Sequence, residues 1–172
     1  SPTSDSMIYT NTQNFNQGAI VNAFNTLPES VRNLVRREGI KLYYTEGVTS
    51  GYDGYTTDAV IAYSTPSNKV VSVKQKPSIY LYTTSYSMIV IPHEYGHVLD
   101  GISSYATGYI KDGISATKEW QNILSRNADA LKSIDAHANA SVGLAANEAF
   151  AEAFRLYCTN PNGLNAACPE VY

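Results

Sequence analysis

The segment that most constrains this chain is His93-Glu94-Tyr95-Gly96-His97. On a helix, residues four apart lie on one face a turn apart, so both imidazoles can reach a single metal ion. Glu94 is turned roughly 100 degrees from His93 about the axis, where it can meet a water at that ion without ligating it. Val90, Ile91, Val98 and Leu99 make the surroundings apolar, and a bare histidine pair buried there would need polar partners. The chain has 3 histidines, and two of them fall at this spacing. The competing reading is a surface helix that merely carries two histidines. Gly96 costs a helix about 1 kcal/mol relative to Ala, which a close approach of another segment would explain. Pro92 either marks the first turn or kinks a helix begun near Ser87.

A suitable carboxylate lies downstream, in Asn147-Glu148-Ala149-Phe150-Ala151-Glu152-Ala153-Phe154-Arg155-Leu156-Tyr157. Glu148 and Glu152 share a helix face, and Arg155 lies close enough to pair with Glu152. The alanines at 149, 151 and 153 allow close packing. One carboxylate would complete a two-histidine, one-glutamate set with a position left for water, the arrangement of catalytic zinc. The other could accept the outer N–H of a ligating histidine. Spacing does not choose between them.

The 172 residues suit a single domain, 1–172, with a real core. Charged residues make up 16%, against about a quarter in ordinary globular domains. Tyr, Ser, Thr and Asn fill the gap. With a net charge of −3 and only the short Arg36-Arg37 pair, the chain offers no footprint for nucleic acid. No apolar run approaches the roughly 20 residues a bilayer span needs. Cys158 and Cys168 could pair in a disulfide that closes the loop 159–167 and pins the tail, two free thiols being the alternative. That pairing, with a start at Ser1 rather than Met, points to a secreted protein.

Helical spacing covers 20–27 and 28–38, with Gly39 as a stop. Strands are expected at 40–45, 59–63, 70–73 and 78–83, with turns at 46–58. The histidine helix should stop near Gly101, followed by a connection at 102–114 and helices over 117–136 and 147–157. The order predicts an α+β domain with a small, twisted, mainly antiparallel sheet, a helix carrying the histidines and a C-terminal ligand helix.

The segments 93–100 and 148–156 together resemble, in order, the two zinc-binding helices of the anthrax lethal factor catalytic domain and the small secreted Pro-Pro endopeptidases. The similarity spans roughly residues 78–158. It implies a zincin-like fold and one Zn2+ per chain, held by His93, His97 and Glu148. Glu152 becomes the acceptor for a ligand histidine. Family members also carry a tyrosine a few residues before the second helix, where it polarises the scissile carbonyl. Here the place near Ser141 has none. His137 is the nearest substitute as an oxyanion donor, with Tyr105 and Tyr109 as rivals.

The expectation is therefore a secreted, monomeric zinc metalloendopeptidase that cleaves an extended protein or peptide by zinc-activated water, with Glu94 as general base. Asp100 would orient the zinc helix or a ligand, or simply bond at the helix end. Strand 78–83 would wall the cleft, with Tyr80 and Tyr82 meeting substrate if that strand is an edge. Two alternatives stay open. One is an inactive metallopeptidase-like domain that binds a protein. The other is a zinc hydrolase of a small amide or cell-wall peptide.

Overall fold

The computed structural model describes residues 8–10, 16–45, 54–57, 60–64, 70–84, 86–107, 113–134 and 146–172, with backbone alone for 60–64, 70–74 and 104–107. Strand β1 (Ile8–Thr10) leads to helices α1 (Gln17–Phe24) and α2 (Glu29–Glu38), then to β2 (Leu42–Tyr44). Gly39 closes α2 at φ 65°, in the left-handed region where glycine carries no steric cost. Next come β3 (Gly54–Thr56), the hairpin β4 (Val60–Ser64) and β5 (Val70–Lys74), and β6 (Ile79–Leu81). The helical half comprises α3 (Ser87–Thr107), a 3-10 turn (Ile114–Ala116), α4 (Lys118–Ser133), α5 (Ala146–Thr159) and α6 (Pro161–Ala167).

The domain is α+β, as expected, but the main sheet is mixed rather than mainly antiparallel. Its order is β1-β2-β6-β3, and β4 and β5 form a separate pair. β1 and β6 both run parallel to β2, and β3 alone is antiparallel. The reason lies in the connections: α1 and α2 carry the chain from β1 back to the same end of the sheet, and a helical crossover of this kind joins parallel strands. β6 is also an inner strand, so it cannot be the cleft-side edge. That edge belongs to β3, which falls within the stretch read from sequence as turns.

One face of the sheet is apolar: Leu42, Tyr44, Ile79 and Leu81 are buried, with Ile20, Phe24, Val35, Ile91, Tyr95 and Val98 of the helices packed in the same cluster. Strand alternation sends Tyr43 and Tyr80 to the other face. There Tyr9, Tyr43 and Tyr80 form a stacked row, with ring centroids 5.4 and 5.1 Å apart. Cross-strand rows of this kind stabilise a sheet. A second cluster, built on Trp120, Leu131, Ala149, Ala153, Leu156, Leu164 and Cys168, fills the space among α4, α5 and α6.

Helix α3 begins at Ser87, so Pro92 lies inside it. The helix also runs through Gly101 to Thr107 rather than stopping there. Ile102 beyond the glycine packs against the sheet-side cluster, and this burial supports the extra turns. Among the described residues, no helix is long and apolar enough to cross a membrane.

The two cysteines are free thiols, which overturns the disulfide pairing. Cys158 packs against the sheet-side cluster, whereas Cys168 is buried in the helical one. The intervening residues are not a closed loop but helix α6, capped by the Asn160 side chain at Gly163 N. Burial pushes the Cys158 thiol up to about 12 and raises Cys168 as well, so both stay protonated and unreactive. Export consequently loses the support that a disulfide would have lent it.

Candidate metal centre

Helices α3 and α5 meet at Gly96. A Cβ there would stand 2.7 Å from Ala151 Cα and 3.1 Å from its carbonyl oxygen. The bare backbone is what lets the two helices touch, and the contact brings the α5 glutamates over the α3 histidines. His93, His97 and Glu148 then offer ligand atoms that all lie within 4.8 Å of one another. His93 Nε2 is 3.1 Å from Glu148 Oε2, and His97 Nε2 is 3.1 Å from Glu148 Oε1. Ligands about 2.0–2.1 Å from a tetrahedral zinc are separated by about 3.3 Å, so these spacings suit one ion of that size. The donor set, two imidazoles and a carboxylate, suits it as well.

Glu152, one turn beyond Glu148, is 2% exposed. His93 Nδ1–H donates to its Oε2 at 2.9 Å, which turns Nε2 toward the shared point. Arg155 donates from Nε and Nη2 to Glu152 Oε1 at 3.0 and 2.7 Å. Both carboxylate oxygens are thus engaged, and a buried anion is matched by a buried cation. Without a metal, a proton takes over the role of the ion. Burial opposes a charged His93, but hydrogen bonds to Glu148 and Glu152, with the nearby Glu94 and Glu152 charges, raise it from 6.5 to about 9. Glu148 is held well below the usual carboxylate range by hydrogen bonds from His93 and His97.

Glu94, next to His93 in the helix and near enough for its charge to act on that imidazole, is 6% exposed and lies under strand β3. Thr56 Oγ1 lies 2.7 Å from Glu94 Oε1. Gly54, two residues earlier, would clash with Val90 Cγ1 if it bore a Cβ. Asp100 lies inside α3 rather than at its end: its Oδ1 accepts from Ser115 N at 2.7 Å and its Oδ2 from Ser115 Oγ at 2.6 Å. It ties α3 to the 3-10 turn, with both carboxylate oxygens bonded to Ser115.

The structure therefore brings together His93, His97, Glu148, Glu152 and Glu94. It does not bring Tyr80 to them: Tyr80 stacks on Tyr43, on the sheet face away from the apolar side. Tyr82 is half-buried just past β6. His137 and Tyr109 lie outside the described residues, and Tyr105 sits near the end of α3 with its side chain outside them too. Sequence reasoning missed Gly54 and Thr56, because Gly51-Tyr52-Asp53-Gly54 reads as a turn. The β-favouring Tyr55-Thr56-Thr57 that follows was the available signal. No family model matches the chain, and no curated protein matches it significantly.

Proposed function

We propose that the chain is a zinc metalloendopeptidase, with His93, His97 and Glu148 as ligands and Glu94 as the general base. One arrangement carries the reading: a convergent two-histidine, one-glutamate set, with a buried carboxylate that ligates nothing beside it. The similarity of segments 93–100 and 148–156 to the lethal factor and Pro-Pro endopeptidase helices points the same way. When bound, zinc supplies a Lewis acid that polarises a scissile carbonyl and acidifies water.

The chain's own residues do the rest. Glu94 takes the proton of the attacking water and hands it to the departing amine. Glu152, steadied by Arg155, keeps His93 in the tautomer that presents Nε2. Strand β3 offers the substrate a template. Thr57 N donates to Ser78 O at 2.9 Å, which fixes the phase of the ladder: residues 55 and 57 face β6, and the main-chain groups of Gly54 and Thr56 point outward. Among the described residues no strand covers that edge. An extended peptide can add to it, which favours a polypeptide substrate over a small amide. His137, Tyr105 and Tyr109 remain the candidate oxyanion donors.

The test compares the native protein with Glu94→Gln for zinc content and for cleavage of a mixed peptide library. About one zinc per chain is expected in both. Cleavage should fall by about 100-fold or more in the variant, the usual worth of a general base. Equal cleavage by the two would remove Glu94 from the mechanism, and failure of either to hold zinc would remove the metal centre.

A further inference from the structure

Strand β3 crosses directly over Glu94. A Cβ on Gly54 would stand 3.3 Å from Glu94 Cγ and 3.4 Å from Glu94 Oε2. Thr56, on the same side of the strand, reaches Glu94 Oε1 at 2.7 Å and the Glu94 carbonyl oxygen at 3.1 Å. A hydroxyl has one proton to give. The shorter contact, to an anionic oxygen, is the stronger claim on it.

We propose that Thr56 is a positioning residue for the general base: its hydroxyl fixes the Glu94 carboxylate so that Oε2 is the oxygen left to take a proton. This rests on the metallopeptidase reading above. A glutamate has three rotatable side-chain bonds, and a base that swings is in place for only part of the time. Thr56 removes that freedom by engaging one oxygen. Because Thr56 belongs to the strand whose outer edge can pair with a peptide, the base and the peptide template move as one unit. A merely structural tether would hold β3 on α3 without affecting the reacting carboxylate.

The experiment uses zinc-loaded native protein, Thr56→Val, which keeps the shape but loses the hydroxyl, and Thr56→Ser, which restores it. The readouts are zinc affinity by chelator competition, kcat and KM on the best-cleaved library peptide, and the affinity for acetohydroxamate. A hydroxamate sets an O–H against the base carboxylate, so its binding reads the position of Glu94 without any turnover. For Thr56→Val, zinc affinity and KM should stay within about twofold, while kcat and hydroxamate affinity each fall about tenfold, a fraction of the full worth of the base. Thr56→Ser should recover both.

Native kcat and hydroxamate affinity in Thr56→Val would overturn the proposal, as would a Thr56→Ser as impaired as the valine variant. A matching loss of zinc would do the same. Thr56→Ala substitutes if the valine variant does not fold, and misfolding of both would assign the hydroxyl a purely structural role. The Glu94→Gln control separates the two levels. An inactive Glu94→Gln beside a native-like Thr56→Val sinks only the positioning role. No cleavage by the zinc-loaded native protein sinks the peptidase reading, and a fully active Glu94→Gln removes Glu94 as its base, while the hydroxamate arm still tests whether Thr56 holds Glu94.

Discussion

Glu152 shows how much a single buried side chain can govern at a candidate metal site. It ligates nothing, yet one oxygen takes the His93 Nδ1–H and the other takes two N–H groups of Arg155. Glu152→Gln keeps the shape but cannot be an acceptor at both ends, so zinc affinity should fall about 10- to 100-fold, the usual cost of losing such support. Competition with a chelator of known affinity measures it, and an unchanged affinity would show that His93 needs no orienting partner. The same cluster makes the metal-free protein sensitive to pH. His93 is raised in the fold from 6.5 to about 9, so its contribution is complete below 6.5 and is lost as pH rises through 9. Glu148 is lowered from 4.5, so its contribution is present above 4.5 and is lost as pH falls toward its folded value. With chelator present, stability in urea should therefore decline from about pH 7 to pH 10. Saturating zinc should abolish that decline, since the ion replaces the proton.

At the level of elements, the contact between α3 and α5 decides whether the ligands converge. Gly96→Ala would gain about 1 kcal/mol of helix propensity. Its new methyl, however, meets backbone atoms of Ala151 that cannot step aside, and overpacking of this kind costs about 1–3 kcal/mol. The expected net result is a lower melting temperature together with weaker zinc binding, because separating the helices parts Glu148 from the histidines. Gly39→Ala is the control: it strains the left-handed φ of 65° but meets nothing within 4 Å, so it should lower stability and leave zinc affinity alone. Gly96 was legible in the sequence as a cost that needed a close neighbour. So were the longer helices, whose apolar spacing is local, and the histidine pair, whose spacing is a property of one helix turn; α6 read instead as a loop, and spacing alone left Glu148 and Glu152 as alternatives. Strand direction was not legible, because it depends on which elements lie between paired strands. Nor was β3: three residues are too few for alternation to register, and its edge position is decided by β6 pairing elsewhere. The cysteines misled for the same reason, since closeness in sequence says nothing about which core each thiol enters.

Across the whole molecule, α5 is the seam between two cores. Its Ala149, Ala153 and Leu156 belong to the helical cluster, while Phe154 and Cys158 pack against the sheet-side cluster. Glu148 faces the histidines of α3, which is rooted in the sheet-side cluster through Ile91, Tyr95 and Val98. A metal at the triad would therefore fasten one half of the fold to the other, and it would bind only when both halves are in place. A ligand exclusive to the folded state stabilises by an amount set by its concentration relative to Kd, about 2.7 kcal/mol at 100 Kd. Removing zinc with a chelator should thus lower the unfolding midpoint, and restoring it should raise the midpoint in step with the logarithm of free zinc. His97→Ala should melt at one temperature whether zinc is present or absent. The increment should also appear in signals from both halves, near Trp120 of the helical cluster and near the tyrosines of the sheet, since the fastening is shared. An increment confined to one half would mean that the clusters unfold separately and that the metal site does not couple them.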